Sequence, residues 1–307
     1  MARQPRRILL TGASGFVGRH LLPMLTRTFP QAELFAGRVD VTDREAITDQ
    51  VRAARPDAAI HLAGVTTVAD ARQGPDRAWR INLHGTLNLA RAVLAHAPAC
   101  QLIFASSSEI YGRSFESGHP LDETALPAPM NSYAASKAAA DLALGAMARE
   151  GLSVVRLRLF NHTGPGQSER FVVPAFARQI VLIESGRQAP PLRVGGLESR
   201  RDFLDVRDVC DAYLACLRYS DQIEPGAILN IASGVPRRIG DMLDELLELA
   251  GLHAEIATDS ERLRAAEIMS ACGDASLAQR VLGWSPRIPL RQTLADVLAD
   301  WRARLAA

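Results

Sequence analysis

Three things that would point to particular classes of protein are scarce or absent in this sequence. The 35 basic and 34 acidic side chains nearly cancel, and the one-signed face or tail of a nucleic-acid-binding protein is absent. The four cysteines show neither C-x-x-C spacing nor histidines at zinc-ligand offsets, so no disulfide framework or metal site is predicted. No apolar run is long enough for a membrane span or a secretory signal. We therefore expect a cytoplasmic protein without nucleic-acid, membrane or metal partners.

What the first 160 residues do contain is a strict alternation of short apolar runs and longer amphipathic segments. This alternation predicts an α/β fold of Rossmann type, in which helices cover both faces of a doubly wound parallel sheet. The predicted strands are Ile8–Thr11, Glu33–Ala36, Ala58–Leu62, Leu102–Ala105 and Val154–Leu159. The predicted helices are Phe16–Thr28, which Pro23 should kink or break, Arg44–Ala54, Asn82–Ala97 and Ser132–Glu150.

The pattern changes after Phe160, where a Gly- and Pro-containing loop replaces the regular alternation. We predict two domains: a dinucleotide-binding Rossmann domain over 1–160 and a smaller C-terminal α/β substrate-binding domain over 161–307. The second domain is expected to be partly interleaved with the Rossmann sheet. Its predicted elements are helices over Val173–Ser185, from Arg207, over Ile239–Ala250 and ending near Leu305, with a strand at Ala227–Ile231.

A glycine-rich turn joins the first predicted strand to the first predicted helix. Backbone N–H groups at a helix N-terminus bind the pyrophosphate of a dinucleotide, and glycines leave room for it to approach. The spacing is G-x-x-G-x-x-G, and its position between strand and helix strengthens the prediction. The residues predicted to bind the cofactor here are Gly12, Ser14, Gly15, Phe16, Val17 and Gly18.

The end of the second predicted strand bears on the choice between NADP and NAD. An acidic residue at that position would bind the ribose hydroxyls of NAD, but the strand is followed by Gly37 and Arg38. Arg38 could pair with a 2′-phosphate, which favours NADPH, or it could be an ordinary surface arginine. Asp40 and Val41 suit a contact with adenine, through a side-chain acceptor and an apolar wall.

Tyr133 and Lys137 stand four residues apart in a predicted helix and therefore share one face. A tyrosine has a pKa near about 10, and a neighbouring ammonium stabilises the phenolate, so Lys137 is expected to lower the pKa of Tyr133. Lys137 could also hold the ribose of the nicotinamide. The alternative is that both are surface residues on an alanine-rich helix.

Serines follow the buried run Leu102–Ala105, at the end of a parallel strand where ligands bind in such sheets. A hydroxyl there could hydrogen-bond a reacting carbonyl. For Ser106 and Ser108, turn and capping roles are the preferred interpretation.

Several weak motifs occur together in one order, which resembles that of the extended short-chain dehydrogenases/reductases over essentially the whole chain. They are Thr11–Gly18, His61–Gly64, Asn82–Leu89, Tyr111-Gly112 and Tyr133–Lys137. In that family the catalytic Ser or Thr lies four residues before the Tyr of the Tyr-Gly pair, which indicates Ser107. The resemblance also implies that Leu62, Ala63, Gly64 and Asn82 line the cofactor site.

The second half is similar to the GDP-sugar members of the family, on the segments 158–167, 201–209 and 264–267. The resemblance implies that Asn161 and Arg201 face the nucleotide pyrophosphate, and that Arg264 and Glu267 hold phosphate and ribose. Ala265 stands where the relatives have proline, which weakens the Glu267 assignment. Arg201 could instead pair with Asp205, and Asn161 could cap a turn. Further substrate-binding candidates are Ser108, Arg170 and Val172.

The resemblance implies a 4-ketoreductase that uses NADPH or NADH on a GDP-4-keto-6-deoxy-hexose, with GDP-4-keto-6-deoxy-D-mannose giving GDP-D-rhamnose. A GDP-mannose 4,6-dehydratase is the first alternative, because Glu109 occupies the position of the glutamate that such enzymes use. A nucleotide-sugar 4-epimerase and a non-catalytic dinucleotide sensor remain open. The family commonly forms dimers, which implies a homodimer through the helices near 82–97 and 134–148.

Overall fold

The computed structural model describes residues 4–259 and 268–306. Its largest sheet has six parallel strands in the order β2-β1-β3-β4-β5-β9. The predicted doubly wound Rossmann sheet is thus confirmed. Its strands are β1 (Arg7–Thr11), β2 (Glu33–Phe35), β3 (Ala58–His61), β4 (Gln101–Ala105), β5 (Val154–Leu159) and β9 (Ala227–Ile231).

Helices cover both faces of this sheet, and on each face a separate hydrophobic core lies between the helices and the sheet. On one face lie α1 (Phe16–Thr28), α8 (Val206–Arg218) and α10 (Ser276–Leu282). On the other lie α2 (Arg44–Ala54), α5 (Thr86–His96) and α6 (Ser132–Arg149).

The order of the strands places a crevice beside β1. From β1 the chain moves outward to β2 on one side and then returns to β3 on the other. Between two strands whose connections leave in opposite directions, the following loops separate and open a crevice at the carboxyl ends. The glycine turn after β1 and residues 62–64 after β3 both border this crevice.

Local sequence sets the beginnings of the helices. The Asp43 carboxylate accepts the N–H groups of Glu45 and Ala46 at the start of α2, and Asn131 accepts that of Ala134 at the start of α6. These side chains satisfy N–H groups that have no partner within the helix.

The predicted break at Pro23 is wrong, because α1 continues through it to Thr28. Leu21 and Leu25 are fully buried on either side of Pro23. Their packing holds both halves of the helix against the sheet despite the lost hydrogen bond.

A smaller α/β layer follows. In it β8 (Arg200–Asp205) pairs with three short strands, and two further strands pair with each other. The short strands are β6 (Asn161–Thr163), β7 (Leu192–Val194), β10 (Pro236–Arg238), β11 (Ile256–Thr258) and β12 (Ser270–Ala271). A separate apolar core packs α7 (Val172–Glu184), α9 (Ile239–Ala250) and α11 (Leu290–Ala306) together.

Several elements went unpredicted. Two short helices, α3 (Val68–Gln73) and α4 (Pro75–Trp79), and a π-helical turn at Arg80–Gly85 precede α5, and a 3₁₀ segment spans Ser108–Ser117. β9 joins the Rossmann sheet from beyond residue 160, as the predicted interleaving requires. The division into domains at residue 160 stays a prediction.

Candidate active site

Two glycines of the segment after β1 stand where a side chain would collide with the backbone. Gly12 has φ +77°, and a Cβ on it would lie 2.6 Å from the backbone N of Ala63. A Cβ on Gly18 would lie 2.4 Å from the Gly12 carbonyl oxygen. Ser14 and Gly15 are exposed at the start of α1, and Gly15 begins the helix without a side-chain cap. The Gly15 N–H donates to the Gly12 carbonyl at 3.0 Å, whereas the first N–H groups of α1 have no acceptor within the helix, so a dinucleotide pyrophosphate could bind there.

Near β2, Arg38 is exposed beside Gly37. The Asp40 carboxylate accepts the backbone N–H and the hydroxyl of Thr42, and these bonds lower its pKa. Val41 is buried, and its side chain lies against Gly85. Residues 36–38 at the end of this strand include no acidic side chain, and the predicted contact of Arg38 with a 2′-phosphate stays a prediction.

Asn82 ties the loop after β3 to helix α6. Its Oδ1 accepts the Val65 N–H at 2.8 Å, and its Nδ2 donates to the Ser136 hydroxyl at 3.0 Å. The side chain is buried. These contacts give Asn82 a role in holding the site together, and its predicted contact with the cofactor stays a prediction.

Tyr133 and Lys137 lie near the start of α6 and face the segment that follows β4. The Lys137 ammonium donates to the Ala105 carbonyl and sits 4.3 Å from the centre of the Phe104 ring. Burial lowers the pKa of Lys137 to about 7, against an opposing effect of Asp141. Lys137 is also the one lysine in the sequence, since every other basic residue of the 35 is arginine.

The expected lowering of the Tyr133 pKa by Lys137 is wrong for this structure. Burial raises the pKa of Tyr133 to about 12, with a hydrogen bond to Ser107 lowering it and the Glu109 charge raising it. The ammonium of Lys137 is directed at the Ala105 carbonyl, so desolvation of the phenol dominates.

Of the three consecutive serines, Ser107 is the one that faces Tyr133. Its Oγ also accepts the Glu109 N–H at 3.2 Å. Ser106 instead donates to Asp141 at 2.6 Å, and Ser108 is buried at the start of the 3₁₀ segment. The offset taken from the family resemblance therefore selects the serine that the fold brings to the tyrosine.

Glu109 is an acidic residue whose charge acts on both Tyr133 and Arg201. It raises the pKa of Tyr133 and also that of Arg201, whose pKa burial lowers overall. Arg201 on β8 donates to the Arg200 carbonyl at 2.8 Å. The fold thus brings Arg201, predicted to bind substrate, to the predicted catalytic residues.

The alternatives for Arg201 and Asn161 are wrong. The Asp205 carboxylate binds Arg207 at 2.7 Å and accepts the Thr293 hydroxyl. Arg201 donates to the Arg200 carbonyl instead. Asn161 lies in β6, paired with Phe203, and caps no turn.

The other substrate candidates are spread more widely. Arg170 is exposed and pairs with Asp70 at 3.1 Å, and the partly buried Val172 begins α7. Arg264 and Glu267 lie outside the described residues.

Sequence reasoning missed a buried polar cluster behind the catalytic pair. Asp141, four residues after Lys137, is fully buried and pairs with Arg156 and Arg158 at 3.1 and 3.2 Å. The four-residue spacing from Lys137 was the available signal. Contacts with distant strands were not readable from it.

Among residues 4–259 and 268–306, no group of three or more His, Cys, Asp or Glu side chains is placed to hold a metal ion. No helix in that part of the chain is long and apolar enough to span a membrane. The four cysteines are free and buried.

Comparison with known proteins gives concordant matches. A model of the NAD dependent epimerase/dehydratase family matches residues 8–232. The GDP-6-deoxy-D-mannose reductase of Pseudomonas aeruginosa is 39% identical over 98% of each chain. The GDP-6-deoxy-D-talose 4-dehydrogenase of Aggregatibacter actinomycetemcomitans is 29% identical over 90% of this chain and 91% of its own. The structure of RMD from Pseudomonas aeruginosa complexed with NADPH matches with a TM-score of 0.89 at 38% identity, covering 97% and 98% of the two chains.

Proposed function

Because this chain belongs to the NAD dependent epimerase/dehydratase family, we propose that it is an NADPH-dependent 4-ketoreductase of a GDP-4-keto-6-deoxy sugar. GDP-4-keto-6-deoxy-D-mannose is the proposed substrate and GDP-D-rhamnose the product. The observation that carries the proposal is the 39% identity, over 98% of both chains, with GDP-6-deoxy-D-mannose reductase. The Ser107, Tyr133 and Lys137 cluster provides the groups that a ketone reduction needs.

The residues around the crevice fit a nicotinamide dinucleotide. Gly12 and Gly18 let the turn pack closely against the backbone of residues 62–63 and against itself, and Gly15 begins α1 without a side-chain cap, so a pyrophosphate could approach the N-terminus of α1. When bound, the nicotinamide supplies the hydride for C4 of the sugar. Arg38 supports the choice of NADPH, because a guanidinium matches the geometry of a 2′-phosphate.

Tyr133 is the proposed general acid. A pKa near 12 keeps its hydroxyl protonated at neutral pH, so it can give a proton to the alkoxide that forms at C4. The Ser107 hydroxyl stabilises the same developing negative charge by hydrogen bonding. Lys137, whose Nζ donates to the Ala105 carbonyl beside the catalytic groups, would hold the nicotinamide ribose.

The second layer is proposed to hold the sugar nucleotide. Arg201 is partly buried and has one donor on the Arg200 carbonyl, which leaves other donors for a diphosphate. Asn161 lies on the neighbouring strand β6. We further assign Ser108, Arg170 and Val172 to the substrate side, with Arg170 exchanging Asp70 for a phosphate.

A second candidate activity, 4,6-dehydration of GDP-mannose, is favoured by one observation. The charge of Glu109 acts on Tyr133, so a carboxylate is at hand for proton transfer to a neighbouring carbon. Dehydration would leave NADP unchanged overall, whereas reduction consumes one NADPH per ketone.

The test follows NADPH absorbance with GDP-4-keto-6-deoxy-mannose as substrate, with NMR of the product and Tyr133→Phe as control. We expect one NADPH oxidised per sugar, product with the C4 configuration of rhamnose, and a loss of more than about 100-fold in the control. Talose configuration would correct the stereochemistry. Conversion of GDP-mannose to a ketone without reductant would establish the dehydratase instead.

We also propose a cytoplasmic homodimer. All four cysteines are free and buried, as is usual in a reducing compartment. Leu142 on α6 is 57% exposed, and a second copy packed on α5 and α6 would cover it. Light scattering of the wild type should give twice the chain mass, and Leu142→Glu should give the single-chain mass.

A further inference from the structure

Helix α6 meets the segment after β4 at three successive turns of the helix. Tyr133, Lys137 and Asp141 follow one another at intervals of four residues, so they lie along one face. Each contacts a different residue of the same short segment. Tyr133 faces the Ser107 hydroxyl, Lys137 donates to the Ala105 carbonyl, and Asp141 accepts the Ser106 hydroxyl.

The third of these contacts involves a fully buried carboxylate. Ser106 Oγ donates to Asp141 Oδ2 at 2.6 Å, a short hydrogen bond to a charged acceptor. On the other side, Arg156 Nη1 and Arg158 Nη2 lie 3.1 and 3.2 Å from Oδ1. Arg158 is itself anchored by donating to the Tyr111 hydroxyl at 3.1 Å. The position of Asp141 is therefore fixed from β5 as well as from its own helix.

Ser106 lies between the two residues that touch the catalytic pair. Its peptide neighbours are Ala105, whose carbonyl receives the Lys137 ammonium, and Ser107, whose hydroxyl faces Tyr133. Holding the Ser106 side chain restrains the direction of both groups. Asp141 on α6 is the charged group that acts on Lys137, and it favours the protonated form. His61 on β3 is near enough to be affected by Lys137 but is neutral, because burial lowers its pKa to about 3.

We propose that Asp141 is a positioning residue for the reaction: through Ser106 it fixes the segment that presents the Ala105 carbonyl to Lys137 and the Ser107 hydroxyl to Tyr133. The inference rests on the proposed ketone reduction for its effect on rate. The alternative is a purely structural ion pair that joins α6 to β5 and leaves the catalytic groups unaffected.

Ser106→Ala and Asp141→Asn separate the two readings. Ser106→Ala removes the link to the segment and keeps both ion pairs. Asp141→Asn removes the charge as well. Two other buried residues give matched controls: Ser220→Ala deletes a serine hydroxyl near an aspartate, and Asp208→Asn alters an aspartate that accepts the Ile288 N–H. Thermal unfolding of all four variants measures the structural cost.

The values of kcat should distinguish the two variants from their controls. We expect Ser106→Ala to lower kcat about tenfold and Asp141→Asn about 100-fold, because small displacements of catalytic groups have effects of that size. KM for the sugar nucleotide should change less than about twofold, since the interaction acts on the reacting groups. The controls should lose stability without losing kcat.

A second readout needs no substrate. Because Lys137 is the one lysine, protein labelled with ¹³Cε-lysine gives a single side-chain signal whose pH titration reports Lys137 alone. We expect its chemical shift to change in Ser106→Ala and its midpoint to fall by at least about one pH unit in Asp141→Asn, where the supporting charge is gone.

These measurements also keep two failures apart. If the wild type does not reduce the ketone, the proposed function fails, and the lysine signal still decides the positioning. If Asp141→Asn does not fold, Ser106→Ala decides it. A Ser106→Ala variant with wild-type kcat and an unchanged lysine signal would overturn the proposal.

Discussion

Burial shifts the two titratable groups of the catalytic pair toward their neutral forms. It raises the pKa of Tyr133 to about 12 and lowers that of Lys137 to about 7. A guanidinium stays charged at any physiological pH, whereas a buried ammonium can lose its proton. The chain has arginine at every other basic position. Its single lysine thus occupies a buried site where loss of the proton can occur near neutral pH.

The shift at Lys137 predicts a pH-dependent stability. Between pH 7 and 10.5 the unfolded chain holds a proton on Lys137 that the folded chain has released, so stability rises with pH in that window. From pH 7.5 to 9.5, the unfolding free energy of the wild type should rise by about 2.5 kcal/mol relative to Lys137→Met, since each pH unit contributes up to about 1.4 kcal/mol. Urea denaturation at several pH values measures it.

Tyr133→Phe is the control for this titration. Folded Tyr133 stays protonated because its pKa is raised to about 12, and an unfolded tyrosine titrates near about pH 10, so from pH 7.5 to 9 this variant should show the same pH dependence as the wild type. A constant difference between Lys137→Met and the wild type would show that Lys137 is charged in the folded protein throughout.

At the scale of single residues, the sequence was enough to name candidate site residues but not the contacts that surround them. The family offset found Ser107 among three serines, although the chemistry of the three is the same. The direction of the Tyr133 pKa was missed because it depends on which carbonyl the Lys137 ammonium meets. Asp141 was missed because its partners, Arg156 and Arg158, come from a strand that folds beside it.

Among the elements, the turn between β1 and α1 has the strictest steric requirements. Gly12→Ala would meet two costs, the left-handed φ of +77° and a contact of 2.6 Å with the Ala63 backbone. We expect it to lower the unfolding free energy by about 2–4 kcal/mol and to abolish NADPH binding. Calorimetric titration with NADPH and denaturant unfolding measure the two effects.

Gly186→Ala is the matched control for that change. Gly186 has φ +67° with no atom within 4 Å of an added Cβ, so it carries the conformational cost alone, about 1 kcal/mol. NADPH binding should be unchanged. Equal losses in the two variants would mean that the close approach of β1 and β3 is relaxed in solution.

The connection from the β3 loop to α6 gives another prediction. Asn82→Ala leaves the buried Val65 N–H without its acceptor, which should cost about 1–3 kcal/mol. It should also lower kcat, because Ser136 loses its link to that loop. Asn88→Ala, which removes donors to the Val41 and Thr42 carbonyls, should cost less and leave kcat unchanged. Unfolding and steady-state kinetics give both comparisons.

The elements that the sequence predicted are those with strong apolar patterns. All six strands of the large sheet are near their predicted positions, because most of them are short apolar runs, as buried parallel strands are. The short strands around β8 were missed, because a three-residue strand such as Pro236–Arg238 contains no apolar run and is too short to show an alternating pattern of apolar and polar residues. Their pairing depends on β8, which is distant in the sequence.

At the scale of the whole molecule, the cofactor and the fold are thermodynamically coupled. A ligand that binds only the folded chain adds about 2.7 kcal/mol at 100 times its Kd. Because Arg38 is proposed to bind the 2′-phosphate, NADPH should have the lower Kd. It should therefore stabilise the wild type more than NADH does at the same concentration. Arg38→Ala should remove this difference and raise the KM for NADPH at least about tenfold, with NADH unchanged. Thermal shifts with each cofactor measure it, and equal shifts in the wild type would exclude a role for Arg38.

Lys137 is 6% exposed and has no second lysine to compete with it. A lysine-specific endoprotease can therefore cut these 307 residues at one peptide bond, in the second turn of α6. That bond becomes accessible only when the helix opens. Under native conditions the rate of this single cleavage measures the free energy of local opening at the catalytic helix, and slower cleavage with NADPH would measure how far the cofactor closes it.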